Sequence, residues 1–92
     1  MVKFGILGAG NIARRFAASL AHVEGAQLVA VSCRTQEKAD AAAAALGAER
    51  AYAGHEALLA DADLDAIYLA LPHQFHREWA IRALRVHKAV LC

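Results

Sequence analysis

Gly8, Gly10 and Ala13 are spaced as G-x-G-x-x-A within Gly8-Ala9-Gly10-Asn11-Ile12-Ala13. The apolar run 2–7 precedes them and an amphipathic stretch, 12–20, follows. Small residues at this spacing, between a strand and a helix, suit the binding of a dinucleotide pyrophosphate. Gly8 permits the tight turn, and Gly10 leaves no Cβ where the backbone must approach the phosphates. Ala13 lets the helix pack closely on the strand. The helix then offers unpaired N–H groups and the positive end of its dipole to an anion. Glycines also mark ordinary strand-to-helix turns; the readable strand and helix on either side favour the phosphate-binding reading.

In an open α/β sheet a ligand lies at the carboxyl ends of the strands, near the point where strand order reverses. That rule selects residues 8–12, 33–38 and 71–76. A site for NAD usually has Asp or Glu ending the second strand, where it accepts the ribose hydroxyls. Here the segment is Ser32-Cys33-Arg34-Thr35, with no carboxylate. Arg34 can pair with a 2′-phosphate and lie flat on adenine, and Lys38 adds a second positive charge one turn on. NADP is therefore favoured over NAD as the cofactor. The bland alternative is a solvated arginine at a strand end, and Glu37 stands close enough to offset part of the charge.

Leu71-Pro72-His73-Gln74-Phe75-His76 is the third place. His-x-x-His can bind zinc, yet no Cys or carboxylate nearby completes a ligand set, so no metal is expected. Their position facing the nucleotide crevice favours contact with the dinucleotide or substrate; the alternative is that both cap the helix and bond backbone. His22, His55 and His87 lack such placement and read as surface residues.

These residues need a scaffold, and the hydrophobic pattern supplies one. Strands are predicted at 3–7, 28–31, 51–53, 67–71 and 89–92, and helices at 12–20, 36–46, 56–60 and 73–86. Ile12, Phe16 and Leu20 form the expected buried stripe of the first helix. Thr35 is a plausible N-cap for the second and Gly47 its left-handed end; the alanine run 41–45 shows no functional content. Trp79, Ala80, Ala83 and Leu84 are expected to face inward on the last helix, with Glu78 and Arg82 paired across one turn. The acids Asp61, Asp63 and Asp65 imitate half a calcium loop, but Ala66 stands where the sharp turn needs glycine, so they read as a solvated loop. Alternating strands and helices imply a doubly wound parallel sheet of Rossmann type in three layers, with strand order 3-2-1-4-5.

The chain has 92 residues, room for one small domain, 1–92. Alanine supplies 24 of them and inflates the 59% hydrophobic content. No apolar stretch approaches the ~20 residues of a membrane span. A net charge of +1 does not imply nucleic acid as a partner. Cys33 and Cys92, each ending a predicted strand, read as free thiols, and with no signal peptide the expected location is cytoplasmic.

Lys3-Phe4-Gly5-Ile6-Leu7 with the glycine motif, Leu64-Asp65-Ala66-Ile67-Tyr68-Leu69-Ala70-Leu71-Pro72, His76, and Lys88-Ala89-Val90-Leu91-Cys92 together resemble the Gfo/Idh/MocA oxidoreductase family, end to end. The resemblance implies an NAD(P)-binding domain followed, in the complete protein, by a substrate domain. It implies hydride transfer to or from sugars, inositols, dihydrodiols and related hydroxy compounds. Carried over, Gly8, Ala9, Gly10, Asn11 and Ile12 hold the pyrophosphate, Cys33, Arg34, Thr35 and Lys38 the adenosine end, and Leu71, Pro72, His73 and His76 the nicotinamide half. Three positions depart from the family: Cys33 replaces Ser or Asp, His73 replaces Asn, and His87 stands where glycine commonly ends the helix. The family continues after this point into Glu-Lys-Pro, whose lysine assists proton transfer, so no catalytic residue is expected within these 92 and the fragment is expected to be inactive alone. A homo-oligomer is left open. The competing reading is a non-catalytic module that binds or senses a nucleotide on the same fold; a third is a Rossmann domain for another nucleotide.

Overall fold

The computed structural model describes residues 1–91. In chain order it contains β1 (Val2–Leu7), α1 (Asn11–Leu20), β2 (Ala26–Cys33), α2 (Gln36–Leu46), β3 (Arg50–Ala53), α3 (His55–Leu59), β4 (Ala66–Leu69), α4 (His76–Arg85) and β5 (Ala89–Leu91). A single 3₁₀ turn, His73–Phe75, leads into α4. The five strands are parallel, in the order β3-β2-β1-β4-β5. This is the expected Rossmann-type arrangement, with order reversing between β1 and β4. The strand end expected at Cys92 lies outside the described residues.

Successive side chains of a strand point to opposite faces, so a sheet covered on both sides needs apolar residues at every position. Ile6, Val31 and the half-buried Leu28 and Tyr68 pack beneath α1 and α2. Leu7, Val29, Ile67 and Leu69 pack on the other face with Leu58 and Leu59 of α3 and Ala83 of α4. Phe16 of α1 lies flat on Tyr68 with ring centroids 4.0 Å apart and meets Phe4 edge-on at 5.5 Å. Opposite the Phe4–Gly5 step β2 carries one extra residue, Val29, and the register shifts there.

Several expectations need correction. Ile12 is 58% exposed; the face of α1 that meets the sheet is Ala13, Phe16, Ala17 and Leu20, and Ile12 lies off that stripe. Leu84 is 59% exposed, because Trp79, Ala80 and Ala83 already fill the inward face of α4. β4 ends at Leu69, three residues before Pro72, and not at Leu71. The helix expected over 73–86 opens as a 3₁₀ turn and becomes regular only at His76.

The helix ends follow local chemistry. Thr35 Oγ1 accepts from Lys38 N at 3.2 Å and caps α2, whose C-terminus ends at Gly47 with φ 80. At the end of α4, His87 takes φ 63, donating its N–H to Leu84 O while Lys88 N donates to Ala83 O. That is a Schellman closure made with histidine in the position glycine usually fills.

The acidic segment is a loop with Asp63 and Asp65 exposed, as expected, but Asp61 is not solvated. The Asp61 side chain is 7% exposed and receives Arg50 Nη1 and the Tyr52 hydroxyl, both at 2.7 Å, on one carboxylate oxygen. Its other oxygen takes the N–H of Asp63 at 3.0 Å, and Asp63 pairs with Arg50 at 2.8 Å. Asp65 accepts the N–H of Lys3 at 2.9 Å. Lys88, 6% exposed, donates its ammonium to the carbonyls of Asp61 and Leu64 at 2.8 and 2.9 Å. These bonds lace the amino ends of the strands together.

Candidate functional site

The carboxyl ends of β1, β2 and β4 open onto a cleft of about 530 Å³. Its floor is Gly8, Ala9 and Gly10. Gly8 adopts φ 94, and a Cβ there would lie 2.8 Å from the Ala70 carbonyl oxygen, so only glycine fits without strain. Gly8 N donates to Ser32 O at 2.9 Å and Ala70 N to Leu7 O at 3.0 Å, which pins the three strand ends to one another. Gly10 differs: no protein atom stands within 4 Å of a Cβ built there. Internal packing therefore does not require glycine at position 10, and the space over its backbone is open.

Gly10 is the N-cap of α1 and supplies no side-chain bond, and the first turn contains no acid. The helical ladder begins with Arg14 N donating to Gly10 O at 3.0 Å. The N–H groups of Asn11, Ile12 and Ala13 precede that ladder, at the positive end of the helix dipole. This is a ready anion site, as the glycine spacing implies.

Cations dominate the rim. Arg14, Arg34 and Lys38 line the cleft, no carboxylate does, and none of the three forms an ion pair among the described residues. Glu37 belongs to the first turn of α2 and is not among the lining residues. Cys33 is buried; burial pushes its thiol up, and Lys38 pulls it partly back, so it is a neutral packing group.

Of the residues expected at the site, the structure brings together Gly8, Ala9, Gly10, Cys33, Arg34, Lys38, Leu71 and Pro72. Asn11, Ile12, Thr35, His73 and His76 do not line the cleft. Thr35 spends its hydroxyl on capping α2. His76 Nε2 bonds the Leu71 carbonyl at 2.7 Å, which fixes the loop after β4; this is the backbone-bonding alternative. His73 is exposed, its ring 5.5 Å from that of His76. Among the described residues no group of three or more His, Cys, Asp or Glu is placed to hold a metal.

The cleft also contains residues the sequence reading passed over. Arg14 stands four residues after Gly10, one helical turn on, so its spacing pointed to the same face. Ala41, Ala42 and Ala45 form a wall on the same side of α2 as Lys38, which gives part of the alanine run a place at the cleft. His55, expected at the surface, is half-buried at the carboxyl end of β3 and lines the cleft. Its Nδ1 lies 2.6 Å from the Oγ of Ser32, a fully buried residue, and its ring meets Trp79 edge-on at 5.2 Å. Burial first, and the charge of Arg34 second, push its pKa below the ordinary histidine value, so it is neutral at pH 7. The carboxyl-end rule applied to β3 as well as to the other strands would have found it.

Residues 2–92 match the model of the Gfo/Idh/MocA oxidoreductase family, described as having the NAD-binding Rossmann fold. The chain belongs to this family. A dTDP-3,4-didehydro-2,6-dideoxy-α-D-glucose 3-reductase of Streptomyces antibioticus is 45% identical over 98% of this chain and 27% of its own length. An NADP⁺-dependent D-xylose 1-dehydrogenase of Haloferax volcanii is 37% identical over 99% of this chain and 28% of its own. A 3-ketoreductase from Actinomadura kijaniata, solved with TDP-benzene and NADP, superposes with a TM-score of 0.91 at 33% identity, over 98% of this chain and 28% of that one. The chain thus spans little more than a quarter of the length of the curated relatives it matches. As a Gfo/Idh/MocA chain it supplies the nucleotide-binding architecture, with the sheet order and glycine turn described above.

Proposed function

We propose that this chain is the dinucleotide-binding domain of an NADP(H)-dependent oxidoreductase acting on a hydroxyl or carbonyl of a sugar, polyol or dihydrodiol. The observation that carries the reading is the pairing of an uncapped α1 N-terminus with a β2 end that offers Arg34 and Lys38 and no carboxylate. The named relatives are a sugar dehydrogenase and a sugar-nucleotide reductase, and the solved one has NADP bound, which supports both the cofactor and the substrate class. A bound nicotinamide ring supplies or accepts the hydride. The work of these residues is to bind and orient: the N–H groups opening α1 hold the pyrophosphate, Arg34 and Lys38 hold the 2′-phosphate, and Leu71 and Pro72 lie along the nicotinamide half. His76 positions that last segment through the Leu71 carbonyl. The residues lining the cleft include one histidine and no carboxylate, so the chain alone is proposed to bind the cofactor without turning over substrate.

Calorimetric titration of NADP and NAD tests this. A charge-assisted bond contributes about 1.5–3 kcal/mol, so NADP is expected to bind roughly ten- to a hundredfold more tightly. Arg34→Ala should erase most of that ratio. Equal affinity for the two cofactors, or a ratio untouched by the substitution, contradicts the assignment.

A further inference from the structure

We infer that His55 is a further residue of the cofactor site, one that answers a 2′-phosphate held beside Arg34 by taking up a proton from solvent. The inference rests on the dinucleotide reading and goes beyond it by assigning a role to the end of β3. Three observations place the imidazole there. It lines the same cleft as Arg34 and Lys38. Its Nδ1 is bonded to Ser32 Oγ at 2.6 Å, and Ser32 lies in β2, directly before the segment that leads to Arg34. Trp79 closes its edge at 5.2 Å, so the ring is held rather than left to swing into solvent.

The partner suits a group that changes state. A serine hydroxyl both donates and accepts, so Ser32 can give its proton to a neutral Nδ1 or accept from a protonated one.

The charges around the ring set the sign. Arg34 lines the same cleft and opposes protonation, as does burial. Lys38 adds positive charge on the cleft side. Behind Trp79, Arg82 stacks at 4.9 Å and is paired with Glu56 and Glu78, so that exposed cluster carries a net negative charge, which is the same with and without a bound cofactor. A phosphate beside Arg34 cancels the nearest opposing charge and adds a negative one. Protonation of His55 then becomes favourable at a higher pH than in the free protein. By linkage, NADP binding takes up a proton between the free and bound titration midpoints, and NADP affinity falls as pH rises through that window. NAD has no 2′-phosphate and shows no such change.

The test is calorimetric titration of NADP and of NAD into the protein between about pH 5.5 and 7.5, in two buffers of different ionisation enthalpy, repeated with His55→Gln. The NADP to NAD affinity ratio should fall roughly tenfold across the range in the native protein and much less in the variant. The second ionisation of the 2′-phosphate, near pH 6, acts in both proteins and cancels from the difference. The ring-proton NMR titration of His55 in the unaltered protein gives an independent answer: its midpoint should rise with NADP and stay in place with NAD. NADP binding with an unmoved midpoint, or with equal proton uptake in native protein and variant, overturns the inference and leaves the cofactor reading standing. Failure of both cofactors to bind overturns both.

Discussion

At the amino ends of the strands, charged groups are answered from within the chain. Lys88 is held by two backbone carbonyls, Asp61 by Arg50, Tyr52 and a backbone N–H, and Asp65 by the N–H of Lys3. At the carboxyl ends Arg14, Arg34 and Lys38 face a cleft that has no carboxylate, and α1 opens without a side-chain cap. The sequence supplies acids freely to the first end and none to the lining of the second. A buried polar group left unmatched costs stability, so the paired end is where the fold is secured. The open end leaves donors and cations ready for an anion that the chain itself does not supply.

The largest effect that would sharpen this contrast is expected at Lys88. Lys88→Met leaves the Asp61 and Leu64 carbonyls without their donor and should cost about 2–3 kcal/mol of stability. Urea unfolding measures it, and dinucleotide affinity of the folded variant should be unchanged. Loss of affinity at full stability would erase the division between the two ends.

A smaller effect concerns Asp61. Burial raises its pKa, but hydrogen bonds from Tyr52, Arg50 and the Asp63 N–H outweigh that and hold the carboxyl below its ordinary value. A depressed carboxyl contributes stability above its unfolded pKa, about 4, and loses it as pH falls through the folded value. Thermal melts should therefore show stability falling below about pH 4. Asp61→Asn should be less stable at neutral pH and should flatten that acid limb. An unchanged acid limb in the variant would mean the carboxylate is not the group that secures this end.

The two ends also differ in how well the sequence announced them. The β–α alternation was legible because each central strand is apolar on both faces, as Ile6 and Leu7 illustrate, and because Thr35 and Gly47 bracket α2. The glycine turn was legible because its residues are consecutive. Asp61 was misread because its partners, Arg50 and Tyr52, come from a neighbouring strand, and an acidic run carries no local sign of them. His55 was misread for the same reason: its meaning depends on Ser32, 23 residues earlier, and on Trp79 of α4. Ile12 was misplaced by a period that Ala13 and Ala17 satisfy with smaller side chains. His73 and His76 drew attention by residue type, while the structure gives His76 a backbone carbonyl.

The most direct measurement adds one methyl group at each of two glycines and records stability and NADP affinity for both. At Gly5 a Cβ would stand 2.8 Å from Leu64 Cδ1 and 2.9 Å from Leu58 Cδ2, inside the core. Gly5→Ala should lose about 1–2 kcal/mol of stability by overpacking and keep its affinity for NADP. At Gly10 the same methyl meets no protein atom within 4 Å, and the backbone, at φ 167, is extended and open to any residue. Gly10→Ala should keep its stability within about 0.5 kcal/mol and lose NADP affinity roughly tenfold or more. A Gly10→Ala protein that binds NADP as tightly as the native chain would contradict the account that this turn is kept clear for the dinucleotide.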